Sequence, residues 1–299
     1  MTALTTSGEF YSLLVAFIWA IAVVMFRASG ASTPPVALNL FKNSFAVVLL
    51  VPTMLLWGIP FLPPGNGWAD AGILLASGAL GIGVADTLFF ASLNRLGAGR
   101  SAVVDSLYSP CIVLFAFFYL SEPISITLLV AVGLMVSAIL LIAGKADPDD
   151  TPIPRKDLRT GILYGVLAMA GMAAGIVVAK PVLNRADVLW SAVVRLTGGV
   201  GFLVLYLGHG RSRREILRAF RPGRHWRLLV PASFIGTYLA MMIWIAGMKY
   251  TNTSIAGVLN QTSVLLVPIL AAFFLKEPLT KRKIAAILLG FAGAALAAL

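Results

Sequence analysis

The chain has 299 residues, of which 59% are A, V, I, L, M, F, W, Y or C and 12% are charged. Soluble domains run at roughly 45–50% apolar, glycine included, and about 25% charged. There is too little polar chain to coat a core of this size, so a water-soluble globule is excluded and the solvent is lipid. The net charge of +11 is then read as membrane topology rather than as a nucleic-acid surface. One cysteine, Cys111, and two histidines, His209 and His225, exclude disulfides and leave almost no room for metal or catalytic chemistry based on these side chains.

A bilayer core about 30 Å thick takes about 20 apolar residues per helix. Ten runs approach that length, near 10–28, 34–58, 70–93, 99–120, 123–144, 159–182, 186–208, 226–248, 252–275 and 279–298. They predict an all-α, polytopic membrane protein of ten transmembrane helices. No basic residue precedes the first run and no small-residue cleavage site follows it, so it reads as a retained helix carrying Trp19. The second run contains Lys42. The third contains Gly78, Gly81 and Gly83, which point to close helix packing because no strand precedes them, and then Asp86. The fourth reads Asp105-Ser-Leu-Tyr108-Ser109-Pro110, and Glu122-Pro123 suits the first turn of the fifth. The Pro-rich stretch 145–158 is a linker between a first unit, 1–144, and a second, 159–299. Beyond it lie Met172 in the sixth run, Arg195 in the seventh, Tyr238 and Trp244 in the eighth and Asn260-Gln261-Thr262-Ser263 in the ninth. Glu277-Pro278 opens the tenth.

Lysine and arginine are distributed unevenly. The odd-numbered connections hold Arg27, Arg95, Arg100, Lys145, Arg155, Lys156, Arg159, the cluster Arg211–Arg227, Lys276, Lys281, Arg282 and Lys283. The other side holds Lys180, Arg185 and Lys249. Cytoplasmic loops are the ones enriched in Lys and Arg, so both termini are expected to be extracytoplasmic.

The two units align with each other. Arg27 and Lys42 fall on Lys180 and Arg195 at one offset, and Gly81, Ala91, Val103, Ala116, Phe118, Leu120, Glu122, Pro123 and Ala131 fall on Gly236, Ala246, Val258, Ala271, Phe273, Leu275, Glu277, Pro278 and Ala286 at another. Five crossings is an odd number, so the second unit starts on the opposite face. The halves form an inverted repeat, an architecture that places a substrate site near the midplane between them.

Leu120-Ser-Glu-Pro-Ile-Ser125 and Leu275-Lys-Glu-Pro-Leu-Thr280, each closing a polar, Pro-containing helix, resemble the fourth-to-fifth helix junction of the drug/metabolite transporter superfamily. Ala91-Ser-Leu93 and Ala246-Gly-Met248 resemble its third-helix ending. Within it the chain is similar to the EamA-type exporters, and to the YddG-type amino-acid exporters. The four-helix multidrug members carry a first-helix glutamate eight residues before a basic residue. Trp19 and Met172 occupy that place here, before Arg27 and Lys180, so the carboxylate-based proton/cation antiport of those relatives does not transfer.

Polar groups at membrane depth persist where they are paired or face water. Lys42 can meet an aspartate of its own half. The second half has no intramembrane carboxylate, so Arg195 requires a partner across the repeat interface, a carbonyl or a substrate carboxylate. The expected substrate-binding set is Trp19, Asp86, Asp105, Tyr108, Met172, Arg195, Tyr238, Trp244, Asn260 and Gln261, with no catalytic residue, metal or cofactor. The expected activity is secondary active or facilitative export of small amphipathic metabolites, amino acids foremost, by alternating access at a central cavity. Efflux of lipophilic cations is the alternative. An intramembrane enzyme is disfavoured, since HExxH, GxGD, a nucleophile with a histidine partner and a P-loop are all missing. A monomer in a bacterial-type inner membrane, with a small molecule and the bilayer as its partners, completes the expectation.

Overall fold

The computed structural model describes residues 8–30, 34–143, 154–209, 213–218, 220–223, 225–275 and 281–298. Arg211, Arg224, Lys276, Glu277, Pro278, Gly144 and linker residues 145–153 lie outside the described residues. The first half contains α1 (Gly8–Gly30), α2 (Pro35–Leu56), α3 (Trp68–Gly78), a π-helical stretch (Ala79–Ala85), α4 (Asp86–Asp105), α5 (Tyr108–Leu120) and α6 (Ile126–Ala143). The second contains α7 (Arg155–Arg185), α8 (Val188–His209), α9 (Arg213–Arg218), α10 (Trp226–Ser233), a second π-helical stretch (Phe234–Leu239), α11 (Ala240–Tyr250), α12 (Thr253–Asn260), α13 (Thr262–Leu275) and α14 (Lys281–Ala297). Among the described residues five helices are long and apolar enough to cross a membrane: Pro35–Leu56, Trp68–Leu96, Arg155–Arg185, Val188–Leu207 and Trp226–Tyr250. Shorter apolar helices run Gly8–Ala22, Tyr108–Leu120, Ile126–Leu141 and Ile284–Ala297.

Local sequence starts these helices. Pro35 takes the first turn of α2, where a missing N–H costs nothing. The Ser125 hydroxyl accepts from Leu128 N (3.0 Å) ahead of α6, and the Asp187 carboxylate accepts from Leu189 N and Trp190 N (2.7 and 3.1 Å) at the start of α8, satisfying donors that have no intrahelical partner.

The duplication is visible in the irregularities as well as in the helices. The two π-helical stretches begin at Ala79 and Phe234, and the helix breaks at Ser106–Leu107 and Gln261 fall at equivalent positions of the repeats. π-Bulges are rare and concentrate at functional sites. The connection expected near 94–98 is itself helical, and the break falls deeper, at Ser106–Leu107. Pro110 explains this: it has no N–H for the Ser106 carbonyl and its ring would strike that carbonyl.

Packing crosses between the halves. α1 lies against α10, α11, α12 and α13, while α7 lies against α3, α4 and α5; α2 pairs with α8 and α6 with α14. The first helix of each half therefore packs on the third and fourth spans of the other. Small residues permit the closest crossing. A side chain on Gly78 would overlap the Arg195 backbone and one on Gly198 the Leu75 backbone, so α3 and α8 touch main chain to main chain, as small residues allow in membrane bundles.

Candidate functional site

A cavity of about 230 Å³ lies between the repeats. Its walls come in pairs related by the duplication: Trp19 and Met172, Lys42 and Arg195, Gly81 and Gly236, Ile82 and Thr237, Asp86 and Met241, Phe89 and Trp244, Asp105 and Asn260, Tyr108 and Ser263. The pseudo-two-fold axis thus runs through this space. Of the expected site residues, Trp19, Asp86, Asp105, Tyr108, Met172, Arg195, Trp244, Asn260 and Gln261 all line it.

Tyr238 does not. Its hydroxyl lies 3.0 Å from the Thr53 hydroxyl of α2 and its ring stacks on Phe234. The cavity-facing stripe of this span is Thr237, Ala240, Met241 and Trp244, at helical i, i+3, i+4, i+7 spacing, and Tyr238 stands about 100° round from it. Lys42, Phe89, Thr237 and Met241 are lining residues that the sequence reading left out of the site. For Phe89 and Met241, repeat equivalence to Trp244 and Asp86 was the available signal.

The charges in the cavity are arranged asymmetrically. Lys42 Nζ donates to Asp86 Oδ2 at 2.8 Å, which is the pairing within one half that the sequence called for, and Lys42 also sits 5.8 Å from the Phe90 ring centroid. Arg195 is 1% exposed, and its guanidinium lies 5.1 Å from the Trp244 ring centroid, within cation–π range. Its Nε and Nη1 are buried without any hydrogen-bond acceptor, and Asp105 Oδ1 is buried without a donor. Gln261 donates through Nε2 to the Asp105 carbonyl at 2.8 Å, joining the two helix breaks across the repeat interface. The cavity therefore offers one ion pair, one guanidinium with two nitrogens that lack an acceptor and one carboxyl oxygen that lacks a donor, framed by Trp19, Met172 and Trp244.

One end of the bundle is tied together. Lys180 Nζ donates to the Met248 carbonyl and to the Thr251 carbonyl at 2.6 Å. Lys249 Nζ donates to the Ala186 carbonyl at 2.6 Å, Arg185 pairs with Asp70, Thr251 bonds Glu9, and Trp190 donates to the Phe61 carbonyl at 2.8 Å. Glu122 accepts from Thr253 N, Ser254 N and Ser254 Oγ at 2.8, 3.0 and 2.7 Å. It was expected to serve the helix it precedes. It caps α12 of the other half instead, because that helix presents free N–H groups and a positive dipole end to it. These contacts gather the start of α1 and the connections 57–67, 121–125, 186–187 and 251–252 at one end, as an inverted repeat requires.

The sequence profile of the EamA-like transporter family matches this chain twice, over residues 6–144 and 159–299. An uncharacterized transporter of Archaeoglobus fulgidus is 25% identical over 276 residues, covering 92% of each chain. Protein PecM of Dickeya dadantii is 26% identical over 224 residues, 73% of this chain and 70% of its own. The uncharacterized transporter YetK of Bacillus subtilis is 28% identical over 127 residues, 42% of this chain and 37% of its own. A crystal structure sharing 18% identity superposes with a TM-score of 0.77 over 97% of this chain and 94% of its own, a likeness of fold.

Proposed function

Because this chain belongs to the EamA-like transporter family, we propose that it exports small amphipathic metabolites, amino acids foremost, through the cavity between its two repeats (1–144 and 159–299) by alternating access. The observation that carries this reading is a cavity whose walls are largely repeat pairs and whose polar groups include a buried guanidinium and a buried carboxyl with unpartnered atoms. Trp19, Met172 and Trp244 supply an adaptable apolar wall, and the unpaired guanidinium and carboxyl suit a molecule bearing both charges. The volume, about 230 Å³, is below the roughly 300–1,000 Å³ of pockets for drug-sized ligands. A lipophilic cation would leave the two unsatisfied Arg195 nitrogens without an acceptor, which a carboxylate supplies.

Orientation in a bacterial-type cytoplasmic membrane follows from the basic residues, with both termini extracytoplasmic. The three exceptions to the bias, Lys180, Arg185 and Lys249, are all engaged by internal carbonyls or by Asp70. They hold that end of the bundle together, and the positive-inside count of the remaining residues stands without them.

The test is counterflow of labelled amino acids in proteoliposomes with and without a pH gradient. Exchange of at least one amino acid is expected, lowered in Trp19→Ala and in Asn260→Ala while folded yield stays near wild type. A purified, folded chain that exchanges none of the panel overturns the reading.

A further inference from the structure

The duplicated halves carry the same device twice, but only one copy is complete. In the first half, buried Lys42 projects beside an aromatic wall and is met at 2.8 Å by Asp86. In the second half, Arg195 takes the Lys42 place, equally buried at 1% exposure, beside Trp244 at 5.1 Å. The residue at the Asp86 place is Met241, which lines the cavity and bears no charge. Thus the base is repeated and the acid is not, while the ring beside each base comes from adjacent positions of the duplicated span, Phe90 beside Lys42 and Trp244, the equivalent of Phe89, beside Arg195. Two guanidinium nitrogens remain buried with nothing to donate to. Elsewhere in the cavity the other acid of the first half, Asp105, is matched by Asn260, and Asp105 Oδ1 also has no partner.

A buried cation needs a counter-charge with hydrogen-bonding geometry, and the first half shows that this backbone can place a carboxylate to provide one. We propose that Arg195, held by Trp244, is the anchor for a substrate carboxylate, which occupies beside Met241 the place that the Asp86 carboxylate fills in the other half. A guanidinium is the side chain best matched to a carboxylate, presenting several N–H donors in a rigid plane. Asp105, from the opposite repeat, faces the same space and takes the ammonium end. The transported class is then compounds with a free carboxylate, and zwitterions are the members that satisfy both unpaired groups at once. This assignment rests on the reading of the cavity as the substrate site.

The test uses matched compounds on the full-length chain in mild detergent, read by calorimetric titration. Leucine, methionine and phenylalanine are each compared with the corresponding amide, the desamino carboxylate and the decarboxylated amine. The free carboxylates should bind, and the amides and amines should bind about 30-fold more weakly or worse, as expected for loss of one partner of a buried charge pair. Arg195→Gln should remove this preference. Met241→Asp is the second variant and does not depend on Arg195→Gln folding well. It installs the missing acid, so Arg195 pairs internally, carboxylate binding falls by a similar factor, and the thermal midpoint is equal to or above that of wild type. Amides binding as tightly as acids, absence of carboxylate binding to the folded wild type, or carboxylate binding unchanged in Arg195→Gln or Met241→Asp overturns the proposal. Desamino carboxylates held through Arg195 without any amino-acid counterflow would uphold the anchor while defeating amino-acid export. Amino-acid counterflow unchanged by Arg195→Gln would do the reverse.

Discussion

Asp86→Asn isolates the energetics of the one complete ion pair in the cavity. The substitution keeps the shape of the side chain and removes its charge, leaving Lys42 buried without a counter-charge, beside the Phe90 ring and a long 3.5 Å contact to Asn43 Oδ1. At 2.8 Å two unit charges attract by about 6 kcal/mol at an effective dielectric constant of roughly 20. The asparagine retains part of that as a hydrogen bond. Removing one partner of a buried pair costs about 3–5 kcal/mol, and since the Asp86 side chain is 22% exposed toward the cavity against 4% for Lys42, the lower end, about 3 kcal/mol, is expected. Replacing both partners by apolar residues of similar size, Lys42→Met with Asp86→Leu, should recover most of the loss, because no charge is then left stranded. Unfolding of purified protein by dodecyl sulfate titration in mixed micelles measures both. A loss under about 1 kcal/mol in Asp86→Asn, or a double variant less stable than the single one, refutes the assignment of the pair as a buried, mutually dependent unit.

Gly78→Ala should eliminate folded protein in detergent, since its new methyl meets the Arg195 backbone, whereas Gly133→Ala on α6, with nothing within 4 Å, should be silent; equal yields of the two would contradict the main-chain crossing of α3 and α8. Lys180→Met removes the clamp on the Met248 and Thr251 carbonyls and should speed amide hydrogen exchange across 248–254 at least tenfold, corresponding to about 1.4 kcal/mol of local opening; unchanged exchange there means the clamp is idle. Reporter fusions after Leu299 should behave as extracytoplasmic and fusions within 211–227 as cytoplasmic, and a cytoplasmic C-terminus would reverse the charge argument.

The parts of this architecture that depend on composition and register are legible in the sequence. Apolar run length pointed to an all-helical membrane bundle, in which five helices among the described residues are long and apolar enough to cross, and the shared offsets that align Lys42 with Arg195 and Gly81 with Gly236 match a cavity walled by repeat pairs. Side-chain type without helical phase misled: Tyr238 was included for its aromatic ring, although Trp244 and the helical period place Thr237 and Met241, not Tyr238, on its face. Glu122 was read as belonging to its own helix because local spacing carries no information about which N-terminus a carboxylate reaches across the bundle. The π-helical stretches have no sequence signature beyond the equivalent glycines Gly81 and Gly236. Their extra residue per turn rotates everything that follows by an amount that an ideal α-helix does not predict.

The two unpartnered groups bear on how the halves divide their labour. The backbones repeat down to their π-helical stretches and their breaks, yet Asp86 and Asp105 in the first half correspond to Met241 and Asn260 in the second, while both halves keep a buried base. If the cavity served only to fill space, the inexpensive arrangement would be the one the first half already uses, a base met by its own acid, or an apolar pair, which is often no less stable. Arg195 instead keeps Nε and Nη1 unsatisfied, a state that costs free energy at membrane depth and is only partly offset by Trp244, since a cation–π contact contributes about 2 kcal/mol when desolvated. Under the proposed assignment that cost falls when a ligand carrying the complementary charge arrives, and the free-energy gain on binding is concentrated at Arg195 and, from the other half, at Asp105. A ligand gripped by one residue from each repeat couples its own position to the relative tilt of the halves. Such coupling is what the proposed alternating access, with one repeat rocking against the other around a shared site, would use.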